Sequence, residues 1–338
     1  MNPGSEGEKY NNKKSRVPVS FGLPVYNGEK YLEAALDSIL AQTFTDFELV
    51  ISDNASTDRT QEICQAYAKK DSRIRYHRIE KNRGAAWNFN NVFSLSSGAY
   101  FKWAAHDDLI APDYLSKCIK VLEEDNSIVL CSSRTEIIDE YGTVIADYIL
   151  KLNTNQTNKK IRFNLPFSRR YLARKLSVNS VKPQDRFGDA IFFHPMCFEV
   201  FGLIRSDVLR KTSLIKSYPG SDLGLLAELS LLGRFFEIPE YLFFNRDHAE
   251  RSVRAHPDMH HRSVWFDSSK GGQISFPHWR FFFEYFNSTN RFSLAFYERV
   301  CCYGHLMNWL RSHSRQMAME LKFAAIYYLN PVRKKNKL

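Results

Sequence analysis

The sequence predicts an α/β fold in which a mostly parallel sheet is flanked by helices. Short apolar segments alternate with amphipathic helical stripes from residue 17 to about residue 131. Because a parallel strand needs a long crossover before the next one, this alternation favours repeated βα units. Polar clusters follow several of the strands, at the edge where such sheets bind ligands. We therefore expect a ligand site along one edge of the sheet.

The elements are expected in the order in which these segments occur. Residues 17–23 predict the first strand, which we expect Pro24 to end, and a helix at 30–42 follows it. Further strands are expected at 47–52, 73–79, 100–105 and 128–131, with helices after 56–58, after 82–84 and at 112–123. The less regular second half predicts helices after 205–207 and at 222–232, short strands at 235–238 and 241–244, and a helical region from residue 263.

The charge of the chain favours an anionic partner. The 338 residues carry a net charge of +10, and residues 151–186 hold ten Lys and Arg against one acid. A second basic cluster, 333–337, follows an apolar segment near the C-terminus. Such runs are usually solvated surface, but they also suit phosphate groups or an anionic membrane. Nucleic acid is not expected, because no recognition motif accompanies the charge.

Cysteine usage and the N-terminus favour a reducing, cytoplasmic location. None of the six cysteines has CxxC or zinc-site spacing, and residues 1–16 lack the apolar core of a signal peptide. No apolar run is long enough to span a bilayer. We expect a cytoplasmic protein. Its basic tail would suit peripheral contact with the inner face of an anionic membrane.

Two adjacent carboxylates, Asp107 and Asp108, follow the fourth predicted strand. Burying two like charges is costly unless a cation or strong hydrogen bonds offset them. Neither a G-x-G-x-x-G loop nor a P-loop follows the first strand, so a phosphate would need another partner. Mg²⁺ or Mn²⁺ is the natural candidate, because these ions bind one or two carboxylates plus substrate phosphates. Asp53 ends an earlier strand, where acids of nucleotide folds accept hydrogen bonds from a base or ribose.

Four segments together resemble the family 2 glycosyltransferases of the GT-A fold. They match the nucleotide-binding motifs of that family in order and approximate spacing, and they are Pro24–Asn27, Ser52–Asp58, Asn82–Gly84 and His106–Asp108. The resemblance covers residue 17 to about residue 145 and implies a GT-A nucleotide-diphospho-sugar transferase fold with a helical C-terminal extension. It also implies an inverting enzyme that moves a sugar from a nucleotide-sugar donor to a glycan or lipid-linked acceptor, in polysaccharide or cell-envelope synthesis.

The resemblance assigns roles to individual residues. Those expected around the nucleotide are Pro24, Val25, Tyr26, Asp53, Asn82, Arg83 and Gly84. Asp107 would hydrogen-bond to the ribose, and Asp108 would bind the metal that bridges the diphosphate. His106 stands where the family's DXD motif has its first acid, which leaves open which aspartate holds the metal more directly.

The catalytic base is expected in the second half. Residues 219–228 resemble the family segment that carries it, and there Asp222 would remove the proton of the acceptor hydroxyl. Alternatively, Asp222 serves only as a helix N-cap. Asp189 is a rival candidate for the base, and Glu228 is a weaker one. Residues 246–252 resemble a later segment of the family. There His248 would bind the metal or touch the diphosphate, and Arg251 would neutralise phosphate, although a lone histidine is more often structural.

The expected organisation has three parts. A flexible N-terminus at 1–16 precedes a GT-A domain at 17–255, with a nucleotide-binding part at 17–145 and an acceptor part at 146–255, and a helical region follows at 256–338. Two other functions stay open: a metal-dependent hydrolase, which leaves Asp53 without a role, and a nucleotide-binding module without catalysis.

Overall fold

The computed structural model confirms the predicted α/β architecture. It describes residues 18–145, 177–193, 197–255, 259–267 and 276–329. The predictions for the N-terminus 1–16, for most of the basic stretch 151–186 and for the basic tail therefore lie outside the described residues.

The first half alternates strands and helices as expected. Its elements are β1 (Val19–Val25), α1 (Leu32–Leu40), β2 (Phe47–Asp53), α2 (Thr60–Lys70), β3 (Ile74–Arg78), α3 (Ala85–Ser94), β4 (Tyr100–Trp103), β5 (Leu109–Ile110) and α4 (Tyr114–Glu124). The second half contains β6 (Ile128–Ile138), α5 (Pro183–Phe193), β7 (Leu203–Arg205), α6 (Ser206–Leu209), α7 (Ser221–Leu232), β8 (Arg234–Arg246), α8 (Ser252–Ala255), α9 (Met259–Phe266), α10 (Pro277–Arg291) and α11 (Phe296–Leu329). Two short 3₁₀ helices lie at Ser177–Asn179 and Phe198–Phe201.

The described strands form one eight-stranded sheet in the order β3-β2-β1-β4-β7-β6-β8-β5. Neighbours β1 and β2, β2 and β3, β1 and β4, and β6 and β8 are parallel. β7 runs antiparallel to β4 and β6, and β5 runs antiparallel to β8. The sheet is mostly parallel, as predicted, and its antiparallel strands come from short segments that carry little sequence signal.

The prediction that Pro24 ends the first strand was wrong. β1 continues to Val25, which pairs with Asp53 of β2. On its other side β1 pairs with β4 only as far as Gly22. Alternate residues of a strand bond to opposite neighbours, so Pro24 faces the side where β4 has already ended. Its missing N–H therefore costs no ladder hydrogen bond.

The two short strands expected at 235–238 and 241–244 are one strand of 13 residues, β8. Ile238 pairs with Ser133 of β6, and Tyr241 pairs with Arg134, the next residue of β6. Residues 239–240 thus form a bulge and do not end the strand. β6 runs to Ile138, beyond the predicted end at residue 131, because β8 pairs with its extended length.

Within the described residues, three apolar cores hold the layers together. One lies between the sheet and helices α1, α2 and α4, and another lies on the side of α3 and α7. Trp103 of β4 is fully buried in the second core. The third core joins Phe187 of α5, Ala227 of α7, Tyr285 of α10 and Leu306 of α11. The C-terminal helices α10 and α11 thus pack on α7, whose second residue is the expected base Asp222. The domain boundary at residue 256 stays a prediction.

The six cysteines are free thiols. Within the parts of the chain that the structure describes, no helix is both long and apolar enough to cross a membrane.

Candidate functional site

The carboxyl ends of β1, β2 and β3 lie at one level, because Val25 pairs with Asp53 and Asp53 pairs with Arg78. The loop after β1 is fastened to the loop after β2. Asn27, with a left-handed φ of 52°, accepts a hydrogen bond on Oδ1 from the N–H of Thr57 at 2.8 Å. The next tie runs from Gly28 N to Oγ1 of Thr60, at 2.8 Å. This loop therefore holds its shape without a ligand and leaves Tyr26 42% exposed.

Asp53 is fully buried at the end of β2, where neighbouring strands supply its partners. Its Oδ1 accepts from Ser56 N at 2.8 Å, and its Oδ2 accepts from Tyr76 Oη at 2.7 Å. Arg78 Nε lies 3.4 Å from the same Oδ2. Burial, and then the Asp53 carboxylate, raise the pKa of Tyr76 well above its ordinary value. Sequence reasoning missed Tyr76 and Arg78, whose spacing of two on β3 directs both side chains to one side of the strand.

The 82–84 turn is tied to the loop after β2 by Asn54. Its Nδ2 donates to Asn82 Oδ1 at 3.0 Å and to Gly84 O at 3.2 Å, and its Oδ1 accepts from Arg83 N at 2.9 Å. Gly84 has a φ of 85°, and a Cβ at this position would lie 2.6 Å from the carbonyl oxygen of Phe266. The end of α9 therefore lies directly on this turn, and only glycine fits there.

Asp108 is buried and its carboxylate is already bonded. Oδ1 accepts from Arg246 N at 2.9 Å, and the amide of Asn245 donates to Oδ1 at 3.0 Å and to Oδ2 at 3.1 Å. The antiparallel pairing of β5 with β8 creates this contact, since Leu109 pairs with Phe244. Burial, followed by the neighbouring Asp107 carboxylate, raises the pKa of Asp108.

Asp107 is less buried and pairs with His248. The distance from His248 Nε2 to Asp107 Oδ2 is 2.9 Å. Burial opposes ionisation of Asp107, but His106 and His248 together hold its pKa below the ordinary value. His248 is only 7% exposed, and its Nδ1 has no hydrogen-bond partner among the described residues. Its ring packs on Tyr31 at a centroid distance of 4.7 Å.

Arg246 fastens the end of β8 to the aspartate loop. Its Nε donates to the carbonyl of Asp107 at 2.8 Å. Its other contacts are the carbonyls of Asp139 and Glu140, at 3.0 Å and 3.1 Å from one terminal nitrogen. The guanidinium also lies 4.9 Å from the ring centroid of Tyr31. The sequence noted this arginine only as the start of a segment resembling the family, whereas the structure gives it a bracing role.

The donor set at the aspartate loop fits a divalent cation with few protein ligands. No group of three or more His, Cys, Asp or Glu side chains could hold a metal ion within the described part of the chain. Mg²⁺ and Mn²⁺ commonly take one or two protein carboxylates and complete their shell with phosphates and water. The Asp107 carboxylate and the His248 Nε2 that lies 2.9 Å from it form such a partial set.

Asp222 lies on a separate element, at the start of α7. The helix begins after Gly220, whose φ is 83°, so glycine is the N-cap residue and Asp222 is the second helical residue. The simple N-cap interpretation of Asp222 was therefore wrong. Its Oδ1 accepts from Leu223 N at 3.0 Å, and the thiol of Cys197 lies against the carboxylate. Burial raises the pKa of Asp222.

The rival acids occupy different surroundings. Glu228 is 4% exposed, and its two oxygens accept from the N–H of Ser213 at 2.6 Å and from the hydroxyl of Ser213 at 2.8 Å. Its carboxylate thus holds a loop in place. Asp189 lies within α5, away from a helix start. A polar cleft beside α7 is lined by Tyr218, Ser221 and Glu228, and the buried hydroxyl of Ser221 has no partner among the described residues.

Comparison with known proteins matches the first half of the chain to a family model. Residues 20–181 match the model of the family described as glycosyl transferase family 2. An uncharacterized glycosyltransferase of Rickettsia typhi is 32% identical over 148 residues, which are 44% of this chain and 45% of that protein. The chain thus spans less than half the length of the first curated relatives that it matches.

Two solved structures share the fold. Residues 1–349 of S. aureus TarS, in complex with UDP-GlcNAc, superpose with a TM-score of 0.57 at 18% identity, over 90% of this chain and 76% of that one. The mannosyltransferase PcManGT of Pyrobaculum calidifontis, in complex with GDP-Man and Mn²⁺, gives a TM-score of 0.50 at 16% identity, over 95% and 83% of the two chains. At these identities the likeness establishes the fold, which confirms the predicted GT-A class.

Proposed function

We propose that the protein transfers a sugar from a nucleotide-sugar donor to a hydroxyl of a glycan or lipid-linked acceptor, with inversion at the anomeric carbon, since residues 20–181 match the model of glycosyl transferase family 2. The observation that carries the proposal is the cluster at the carboxyl edge of the sheet. Side-chain hydrogen bonds tie together the loops after β1, β2 and β3. Asp107 and His248, which pair with each other, follow β4 and β8 of the same sheet.

The loops after β1, β2 and β3 are proposed to hold the nucleotide. The residues assigned to it are Pro24, Val25, Tyr26, Asp53, Asn82, Arg83 and Gly84. Tyr76 and Arg78 hold the fully buried Asp53 carboxylate in place at the end of β2. The Arg83 guanidinium lies 4.3 Å from the ring centroid of Trp87, which keeps a cation at this side of the pocket. The complexes of TarS with UDP-GlcNAc and of PcManGT with GDP-Man support a nucleotide-sugar donor.

Asp107 and His248 are proposed to hold the divalent cation, with Asp108 as a positioning residue. The sequence assigned the metal to Asp108 and the ribose to Asp107. The geometry favours moving the metal role from Asp108 to Asp107, because the Asp108 carboxylate is buried against Asn245 and Arg246. The cation, Mg²⁺ or Mn²⁺, supplies positive charge that stabilises the diphosphate leaving group when it is bound. The complex of PcManGT with Mn²⁺ supports a metal requirement.

Asp222 is proposed to act as the general base. A base must be ionised yet able to accept a proton, and burial raises the pKa of Asp222 in that direction. Its place in the first turn of α7 sets the helix N-terminus against the carboxylate, which favours the ionised form.

A thermal-shift panel of UDP, GDP, dTDP and CMP, each with and without Mn²⁺, tests the donor site. A ligand that binds only the folded state raises Tm by mass action, so one nucleotide class should raise it and Mn²⁺ should increase the effect. Asp107→Asn should remove the metal-dependent part. The matched control is Asp113→Asn, an acid that pairs with Lys117 near the surface.

Absence of any nucleotide shift with Mn²⁺ would overturn the proposal. Release of free sugar from the donor without an acceptor would instead indicate a hydrolase. Nucleotide binding without turnover of any sugar donor would indicate a binding module.

A further inference from the structure

The second half of α11 exposes a face that is both cationic and apolar. Its cations share one side of the helix, because spacings of four and seven residues return to the same side. Its apolar residues, spaced by four and three, form the adjoining stripe and are between 44% and 62% exposed. The α11 face consists of Arg311, Arg315, Met319, Lys322, Phe323 and Ile326.

No acid balances the α11 face in the described part of the chain. Glu320 is the only acid between residues 311 and 326, and its carboxylate points to His278, whose Nδ1 lies 2.6 Å away. The three cations of the face form no ion pair with a described residue. The sequence after residue 326 contains no acid and adds four further cations between residues 333 and 337.

We propose that the α11 face binds an anionic phospholipid surface. Cations beside a stripe of large apolar side chains are the composition of helices that lie in the headgroup region. The cations would contact the phosphates, and Met319, Phe323 and Ile326 would enter the boundary between headgroups and acyl chains. A second copy of the chain fits less well, because a two-fold contact would place like charges opposite each other. The third core connects α11 to α7. Docking of α11 would therefore also fix the orientation of Asp222 relative to the membrane.

Co-sedimentation of the full chain with vesicles tests the proposal. Phosphatidylcholine vesicles that contain phosphatidylglycerol should bind the protein, pure phosphatidylcholine should not, and added salt should weaken binding by screening. The triple variant Arg311→Gln/Arg315→Gln/Lys322→Gln should bind on the order of 100-fold more weakly. The matched control is Lys69→Gln/Lys70→Gln/Lys120→Gln, which removes three exposed cations of α2 and α4 and should bind like the unmodified protein.

A second variant separates the α11 face from the basic tail. Met319→Ser/Phe323→Ser/Ile326→Ser keeps every charge, and its binding should fall at least about tenfold through the lost apolar contacts. Binding unchanged in both face variants, equal binding to neutral vesicles, or no vesicle binding would each overturn the proposal. A dimer in sedimentation analysis that the cation variant dissociates would assign the face to a second copy instead. Donor and acceptor are absent from these assays, so their failure does not bear on the transferase activity.

Discussion

The nucleotide side of the molecule and the Asp222 side differ in how completely their polar groups are bonded. Asp53 and Asn54 each have three partners, all from neighbouring loops or strands. Asp222 has one backbone donor and a thiol, and the hydroxyl of Ser221 beside it is buried without a partner among the described residues. The nucleotide side is therefore preorganised, whereas the Asp222 side keeps hydrogen-bonding capacity that no described residue uses.

The largest expected effect comes from Asp222, which tests whether the less bonded side performs the chemistry. Asp222→Asn should lower kcat/KM by about 10²–10⁴-fold, because the amide cannot take the acceptor proton. The nucleotide-induced Tm shift should stay unchanged. Since burial raises the pKa of Asp222, the acid limb of the pH profile should lie above the ordinary aspartate value of about 3.9.

Asp189→Asn is the matched control for Asp222→Asn and should keep full activity. Retained transfer in Asp222→Asn, or equal loss in the two variants, would contradict the assignment of the base to α7.

The next effect concerns Lys102 of β4, the strand between β1 and β7. This fully buried lysine of β4 donates to the carbonyl of Phe201, and its ammonium lies 4.7 Å from the ring centroid of Tyr114 and 5.1 Å from that of Phe243. Burial lowers its pKa from 10.5 to about 8. Between pH 8 and pH 10.5, Lys102 is more often protonated in the unfolded chain than in the folded one. It therefore makes the free energy of unfolding rise with pH, by roughly 3 kcal/mol over this pH range.

Lys102→Met should remove that contribution. Urea unfolding of both proteins at several values between pH 7 and pH 10 measures it, because the other titrating groups are common to both. Lys120→Met, at an exposed position of α4, is the control and should keep the original pH dependence. Parallel pH profiles of Lys102→Met and the unmodified protein would contradict the prediction.

A smaller effect probes the contact between the nucleotide side and α9. Gly84→Ala should cost about 2 kcal/mol or more, since a left-handed φ penalises alanine and the new Cβ would also meet the backbone of Phe266. Gly142→Ala is the matched control: its φ is 88°, yet the nearest atom to its Cβ, on Arg246, is 3.9 Å away. It should cost only about 1 kcal/mol. Equal losses in urea unfolding would mean that the α9 contact has no energetic weight.

The smallest effect tests the bonding of Asp53. Tyr76→Phe should lower the free energy of unfolding by about 1–2 kcal/mol, because it removes one donor from a fully buried carboxylate. Tyr67→Phe removes a hydroxyl at a similar distance, 2.8 Å, from the exposed carboxylate of Asp37 and should cost about 0.5 kcal/mol. Similar values for the two variants would show that burial of Asp53 does not strengthen its hydrogen bonds.

Much of the nucleotide side could be predicted because its signals are local. The four segments that resemble the family are contiguous, and parallel strands bring their carboxyl ends to one edge whatever the remaining sequence is. The helix at 222–232 was predicted within one residue of its observed start, since leucines make up most of its apolar residues. The roles assigned to Asp107, Asp108, His248 and Asp222 stay predictions, as does the cytoplasmic location.

Other features had no local signal. β5 has two residues, too few for a periodic pattern, yet its pairing with β8 brings Asn245 and Arg246 to Asp108. Pro24 carries the usual sign of a strand end and sits inside a strand, because the neighbouring strand stops first. The exposure of the α11 face also depends on which side of α11 packs against α5, α7 and α10.

The sequence alone determined the α/β class, the order of strands in the first half and the strand-end loops, because periodicity and turn chemistry act over a few residues. Only the tertiary structure decided which partner each acid has and which of the two is buried. Asp107 and Asp108 are adjacent in the chain, but their partners His248 and Asn245 come from 141 and 137 positions away. Strand register brings these residues together, and register depends on the packing of the whole sheet.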